Sequence, residues 1–207
     1  MKLETAIKIA TTDLNKNKIS SSLLDSEILM SKVINKDRGF VILNPKEEIK
    51  KNNYSYFRQL VHERSKGKPI AYLTGKKHFW KYEFDITENV LIPRPDTEII
   101  VEQVLNMFKN KNKISFLDIG VGSGCILLSI LKEKKNYLGT GIDMSSECVK
   151  LTKINANKFG VKNRVKIFKS DVDNFNLGKY DLIISNPPYI KKLDLKYLDK
   201  DVINFEP

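Results

Sequence analysis

Residues 114–124 read Ile-Ser-Phe-Leu-Asp-Ile-Gly-Val-Gly-Ser-Gly, an apolar run followed by three alternating glycines. The apolar part has the length of a buried strand, and the glycines predict a sharp turn that a ligand can approach without interference from Cβ atoms. A helix is predicted from Cys125 to about Lys134. Strand, turn and helix in this order predict an α/β fold built on a parallel sheet with right-handed crossovers.

The same alternation continues along the chain. Three further strands and one helix are predicted, the strands at 137–142, 165–168 and 181–184 and the helix at 145–159. Each of these strands ends near a polar residue, namely Asp143, Asp171 and Asn186. In parallel sheets, ligands bind beyond the carboxyl ends of the strands. The pattern therefore predicts one ligand site at that edge of the sheet.

The glycine turn and Asp143 restrict the kind of ligand. Cys125 stands where a dinucleotide fingerprint has glycine or alanine, and no Gly-Lys-Ser/Thr follows, so the turn is not a P-loop. Asp143 lies 19 residues after Gly124. A carboxylate at this point can accept hydrogen bonds from both hydroxyls of a ribose. A nucleoside without a pyrophosphate, such as S-adenosylmethionine, fits these features best.

The last predicted strand leads into Ser185-Asn186-Pro187-Pro188-Tyr189. Consecutive prolines cannot continue a strand, and Asn186 is pushed towards an extended conformation by the proline that follows it. The segment is then a rigid exit with an amide side chain, free carbonyls and an aromatic ring, which suits a planar NH2 group that needs two acceptors. The alternative is a simple turn, since asparagine and proline are common turn residues.

The first half of the chain predicts a different architecture. Helical spacing of apolar residues predicts three helices, at about 3–14, 21–35 and 45–64, which form a small bundle. Two strands predicted at 71–74 and 79–86 form a hairpin. Pro93-Arg94-Pro95 then stiffens the entry to a helix at 99–108, which Asp96 or Thr97 can cap. Arg94 is a candidate for contacting a ligand or partner, although the segment could also be a plain linker.

Composition excludes several classes of protein. The net charge of +11 divides into +6 over residues 1–90 and +5 over residues 91–207, so neither half is a basic arm. No apolar run could span a bilayer, and the N-terminus has no signal-peptide pattern. The two cysteines match no metal or disulfide spacing, which favours the cytoplasm and predicts no metal.

Gly-Val-Gly-Ser-Gly at 120–124, Ile142-Asp143 and Asn-Pro-Pro-Tyr at 186–189 together resemble a class I methyltransferase that modifies a planar nitrogen. The segments 67–75 and 91–98 resemble a narrower family, the HemK/PrmC protein-glutamine N5-methyltransferases, which act on class I peptide chain release factors. Phe205-Glu206-Pro207 matches another landmark of that family. The resemblance covers nearly the whole chain. It implies a helical substrate-docking domain at 1–66, a hairpin linker at 67–90 and a Rossmann-like methyltransferase domain at 91–207.

The resemblance also implies roles for individual residues. S-adenosylmethionine is expected to contact residues shared by this family: Gly120, Val121, Gly122, Ser123, Gly124, Asp143, Asp171, Val172 and Asn186. The family often has an aromatic residue where this chain has Val172. The substrate glutamine is expected at Asn186, Pro187, Pro188 and Tyr189, with Arg94 as a further contact. The catalytic groups among these are expected to be Asn186, Pro187 and Tyr189, in a monomeric enzyme with no direct contact to nucleic acid or membrane.

The chain departs from the family at its end. It stops at Pro207, whereas the family continues for several sheet elements, so we expect a C-terminally truncated domain in which the fourth strand is an edge. Two alternatives stay open at this point. A DNA adenine-N6 methyltransferase would present the same planar NH2 after base flipping. A truncated, inactive remnant could still bind the release factor through its N-terminal helices.

Overall fold

The computed structural model describes residues 1–187 and 200–207. They divide into two compact units, one made of residues 1–75 and 200–205 and the other of residues 76–187 and 206–207. The domain boundaries predicted from the sequence stay predictions. Pro188 and Tyr189 lie outside the described residues.

The first unit is helical. Its elements are α1 (Leu3–Lys16), α2 (Ser22–Ile34), α3 (Arg38–Leu43), α4 (Lys51–Ser65) and α5 (Ile70–Thr74). Leu14, Leu29 and Phe57 are fully buried at the centre of its core. The core also encloses an ion pair, in which the Arg64 guanidinium donates to the Asp25 carboxylate over 2.7 Å. This unit is the predicted bundle with two helices more than expected, α3 and α5. Asp37 caps α3 by accepting from the Phe40 N–H.

Two predictions in this region are wrong. Residues 71–74 form helix α5 instead of a strand, because Pro69 occupies the cap position before it and Gly75, at φ 76°, ends it in the left-handed conformation. The third predicted helix, placed at 45–64, begins only at Lys51. The hairpin is formed by residues 76–79 and 82–85 instead, so its turn lies inside the second predicted strand, 79–86.

The second unit begins with that hairpin, β1 (Lys76–Phe79) and β2 (Tyr82–Asp85), which pair antiparallel. Trp80, in the two-residue turn, has φ 57°. A 3₁₀ turn at Pro95–Thr97 leads into α6 (Glu98–Met107). The remaining elements alternate as predicted: β3 (Ser115–Ile119), α7 (Cys125–Glu133), β4 (Leu138–Asp143), α8 (Ser146–Lys158), β5 (Val165–Lys169) and β6 (Leu182–Ser185), and a short α9 (Lys200–Phe205) follows in the first unit.

The four later strands form one parallel sheet in the order β5-β4-β3-β6, as the alternation predicted. The strand order reverses at β3: β4 and then β5 are added on one side of it, and the chain then returns to add β6 on the other side. This is the switch point at which such sheets bind ligands. Among the described residues β6 is an edge strand, and its Ile183 is 60% exposed.

Helix α7 packs closely on the sheet because β4 carries glycine where a side chain would obstruct it. A Cβ at Gly139 would lie 2.6 Å from Leu127 Cδ1, and one at Gly141 would lie 2.8 Å from Leu127 Cδ2. Leu127, Leu128 and Ile130 of α7 are accordingly fully buried. Close packing at this point fixes the start of α7, and with it the glycine turn that precedes the helix.

Candidate functional site

The register of the sheet brings the predicted residues to one edge. Ile119 of β3 pairs with Ile142 of β4 on one side and with Ser185 of β6 on the other. The residues that follow are Gly120, Asp143 and Asn186. Since neighbouring strands lie about 4.8 Å apart, Asp143 and Asn186 leave the sheet about 10 Å from each other, with the glycine turn between them.

The glycine turn adopts the conformation that its sequence predicts. Gly120, Gly122 and Gly124 have φ values of 77°, 56° and 83°, in the left-handed region that side chains disfavour. The turn is tied to β4, because the N–H groups of Gly120 and Val121 both donate to the Ile142 carbonyl, at 2.9 and 3.0 Å. Its backbone is therefore held in place by the strand that carries Asp143.

Helix α8 supports the turn from the other side. The Thr152 hydroxyl donates to the Gly122 carbonyl at 2.8 Å, and the fully buried Asn155 amide donates to the Ser123 carbonyl at 2.9 Å. Asn155 also exchanges hydrogen bonds with the backbone of Asp85, which attaches the hairpin to the same helix. Sequence reasoning missed Thr152 and Asn155, because polar residues within a helix carry no local sign of the loop they support.

Asp143 holds the turn through its side chain. Carboxylate oxygen Oδ2 accepts from the Gly122 N–H and Oδ1 from the Ser145 N–H, each at 2.9 Å. Each oxygen of an ionised carboxylate has a second lone pair, so both can still accept a ligand hydroxyl. The half-buried Asp143 is thus already oriented by the loop before any ligand contacts it.

The space beside the turn fits a ligand that lies against the backbone. A Cβ built on Gly120 would meet no heavy atom within 4 Å, and one on Gly122 would meet only the Gly120 carbonyl oxygen, at 4.0 Å. A Cβ on Gly124 would instead lie 2.8 Å from side-chain carbons of Leu128 and Thr152. The first two glycines keep room for a nucleoside beside Asp143, whereas the third allows close packing of α7 and α8.

A second carboxyl group lies under the turn. Asp118, 2% exposed in β3, has its pKa raised to about 7, first by burial and further by the charge of Asp143, against a hydrogen bond from the Leu127 backbone that lowers it. Cys125 is half-buried, and desolvation of its thiol together with the nearby Asp118 raises its pKa to about 12. The Cys125 thiol is therefore uncharged at neutral pH.

The two other predicted strand-end residues lie at the sides of the sheet. Asp171 follows β5 and accepts from the Asp173 N–H at 3.2 Å, and Val172 beside it is half exposed. Asn186 and Pro187 follow β6 and are exposed. The Asn186 amide nitrogen donates to the Thr97 hydroxyl at 3.2 Å.

Arg94 pairs with a residue far away in the sequence. Its guanidinium contacts the Glu206 carboxylate at 2.7 Å, and the Ile92 N–H donates to the other carboxylate oxygen at 3.4 Å. The Glu206 side chain is only 3% exposed, whereas that of Arg94 is 43% exposed. This ion pair does not show whether Arg94 also contacts a substrate, and that contact stays a prediction.

Within the described ranges 1–187 and 200–207, no three His, Cys, Asp or Glu side chains are grouped so as to hold a metal ion. Nor does any helix in those ranges have both the length and the apolar character needed to cross a membrane.

Comparisons with known proteins agree with this geometry. Residues 5–75 match the family described as PrmC N-terminal domain, and residues 96–203 match the Methyltransferase small domain. The chain is 38% identical over 189 residues to the Release factor glutamine methyltransferase of Buchnera aphidicola subsp. Acyrthosiphon pisum, covering 91% of this chain and 67% of that protein. It is 37% identical over 210 residues to the protein of that name from Clostridium acetobutylicum, covering 100% and 74%.

Among solved structures, a SAM-dependent methyltransferase from Geobacter sulfurreducens in complex with S-adenosyl-L-homocysteine is 25% identical, with a TM-score of 0.38 over 44% of this chain and 36% of that one. The chain spans about two thirds to three quarters of the length of the two relatives above. The predicted fold class, a Rossmann-like methyltransferase domain preceded by a helical region, is confirmed by the family matches and the sheet order.

Proposed function

This chain belongs to the family of release factor glutamine methyltransferases, and on that premise we propose that it transfers a methyl group from S-adenosyl-L-methionine to the side-chain amide nitrogen of a glutamine in class I peptide chain release factors. The observation that carries the proposal is the meeting of three features at adjacent strand ends: the open glycine turn, the oriented carboxylate of Asp143 and the exposed amide of Asn186.

S-adenosyl-L-methionine supplies a methyl group bound to a positively charged sulfur. The chain's own part is to hold the nucleoside, with both ribose hydroxyls donating to the Asp143 carboxylate and the rest of the molecule against Gly120 and Gly122. Hydrogen bonds to an ionised acceptor are roughly twice as strong as neutral ones. Asp143 therefore contributes mainly to cofactor affinity, and Asp171 and Val172 border the adenine.

The exit from β6 prepares the glutamine amide for attack. An amide nitrogen is a weak nucleophile, because its lone pair is delocalised into the carbonyl. The Asn186 side-chain oxygen and the Pro187 carbonyl accept its two N–H groups, which holds the nitrogen in one orientation and favours the positive charge that develops on it. No side chain has to remove a proton before the methyl group is transferred, since the proton can leave afterwards. Pro188 and Tyr189, the remaining predicted substrate contacts, are outside the described residues.

The N-terminal unit is proposed to bind the release factor. It carries a groove of about 370 Å³ between α1, α2 and α3, lined in part by Leu23 and Ile42. Leu23, Ile42 and Leu43 are 54%, 49% and 80% exposed, which is unusual for large apolar side chains close together. An apolar surface of this kind suits a folded protein substrate.

We propose in addition that the protein works in the cytoplasm as a monomer, without direct contact to nucleic acid. What supports the last point is the even distribution of charge, +6 over residues 1–90 and +5 over residues 91–207, without a basic arm. The family membership favours glutamine methylation over methylation of DNA adenine.

The test is mass spectrometry of a class I release factor incubated with the protein and S-adenosyl-L-methionine. We expect one peptide to gain one methyl group on a glutamine, and no gain when that glutamine is replaced by glutamate. A duplex oligonucleotide that contains adenine forms the parallel arm. Methylation of the oligonucleotide with an unmodified release factor would contradict the proposal.

A further inference from the structure

The carboxamide of Asn186 has two ends of nearly equal size and opposite character. Its oxygen accepts hydrogen bonds and its nitrogen donates them. A substrate NH2 group can bind only the oxygen, because a donor facing a donor leaves both hydrogens without a partner. While the oxygen binds the substrate, the nitrogen end therefore needs a contact on the protein side that accepts its hydrogen bond.

That contact is the Thr97 hydroxyl, which accepts from Asn186 Nδ2 at 3.2 Å. We propose that Thr97 is a positioning residue, whose hydroxyl accepts from the Asn186 amide nitrogen and so holds the carboxamide in place while its oxygen stays free to bind the substrate amide. The inference rests on the proposed function and adds a residue to it. Thr97 touches neither substrate nor cofactor in this role and acts through Asn186.

The Thr97 hydroxyl is available for this contact because it does not cap the helix that follows. Thr97 stands at the cap position of α6, but its φ and ψ of −69° and −17° are helical, and its side chain makes no cap hydrogen bond. A capping threonine has extended φ and ψ, which let its oxygen reach the N–H groups of the first turn. The sequence predicted a cap at Asp96 or Thr97, and the structure gives this hydroxyl another partner.

The backbone that carries Thr97 is fixed at three points. Arg94, three residues before it, pairs with the buried Glu206 carboxylate at 2.7 Å. Glu98, directly after it, accepts from the Trp80 N–H at 2.8 Å. The Thr97 N–H itself donates to the Arg94 carbonyl at 3.1 Å. Because the backbone of Thr97 is fixed, its hydroxyl can hold the Asn186 side chain in a defined position.

Asn186 lies at the edge of the sheet. It follows β6, which among the described residues pairs with β3 alone. The start of α6 contacts its side chain through Thr97. The segment Arg94–Glu98 thus fixes three distant parts of the unit at once: Glu206, Asn186 and the hairpin turn at Trp80.

The test compares Thr97→Val, which keeps the shape and removes the hydroxyl, with Thr97→Ser, which keeps the hydroxyl. Thr87→Val, at an exposed turn position, is the matched control. With a release factor as substrate we expect Thr97→Val to lower kcat about tenfold, the size of one hydrogen bond. The KM for the release factor and the dissociation constant for S-adenosylmethionine should stay at the wild-type values, and Thr97→Ser should recover most of kcat.

A second measurement does not depend on activity. In the full chain, the side-chain NH2 resonances of Asn186 should shift in Thr97→Val and stay near their wild-type positions in Thr97→Ser and Thr87→Val. Unchanged resonances or an unchanged kcat in folded Thr97→Val would overturn the inference, as would an equal loss of kcat in Thr97→Ser. If the wild-type chain methylates no release factor, the proposed function fails instead, and the resonances still decide whether Thr97 orients Asn186.

Discussion

Replacing Asp143 by asparagine tests the carboxylate at the centre of the site. In the wild type both side-chain oxygens accept a backbone N–H, from Gly122 and from Ser145, each at 2.9 Å. Asparagine has the same shape but only one oxygen. Its NH2 end must face one of these two N–H groups, so one donor loses its partner and two donors oppose each other.

The loss of stability and of cofactor affinity in Asp143→Asn can be worked out from those two contacts. A buried donor left without a partner destabilises the fold by about 1–3 kcal/mol, and we expect the free energy of unfolding to fall by that amount. Removal of the charge also relieves Asp118, whose pKa the Asp143 carboxylate helps to raise, so the lower half of the range is expected. For the cofactor, the loss of one charge-assisted hydrogen bond of about 1.5–3 kcal/mol weakens binding about 10- to 100-fold.

Urea unfolding and calorimetric titration with S-adenosylhomocysteine measure the two effects separately. Asp173→Asn is the matched control, because Asp173 is exposed and contributes its backbone N–H to Asp171 rather than its carboxylate to the turn. If Asp143→Asn kept both the unfolding free energy and the dissociation constant of the wild type, the carboxylate would neither hold the turn nor bind the ribose. A loss of stability with unchanged affinity would leave it a purely structural role.

Three further predictions follow from the site. Asn186→Ala should lower kcat about 10²- to 10³-fold, as expected for a lost preorganised acceptor, with cofactor affinity unchanged; equal losses in both, measured by steady-state kinetics and titration, would refute its role. Asp118 has a folded-state pKa of about 7, raised from 3.8, so its contribution to stability is full below about pH 4 and is lost as the pH rises to 7. The unfolding free energy of the wild type relative to Asp118→Asn should therefore decrease between pH 5 and 7, and a constant difference in urea unfolding would contradict this. Gly124→Ala should destabilise more than Gly120→Ala, since both have positive φ but only the first places a Cβ 2.8 Å from Leu128; thermal unfolding with the reverse order would exclude this account.

Much of the second unit could be predicted from the sequence, because its signals are local. An apolar run, three glycines and a polar strand end predict a strand, a turn and a ligand position, and β3, α7 and β4 confirm them to within one residue. Residues 71–74, predicted as a strand, form a helix because their local signal was too weak. A run of four residues is too short to show periodicity, so the conformation was decided by Pro69 and Gly75 on either side.

The supports of the site could not be predicted in this way. Arg94 and Glu206 are 112 residues apart, and Thr97 and Asn186 are 89 apart. Nothing in the local pattern links such residues, since the pairing depends on where the sheet places their backbones. The residues that contact a ligand are therefore easier to infer from one sequence than the residues that hold them in position.

The chain contains one tryptophan, and its location gives the protein an internal fluorophore. Trp80 is half-buried, its backbone N–H donates to Glu98 and its indole N–H donates to Glu133 at 3.0 Å. Its emission is thus sensitive to the segment that also carries Thr97. A change of emission wavelength or quenching on adding a release factor would report movement of that segment directly, without labelling and without turnover.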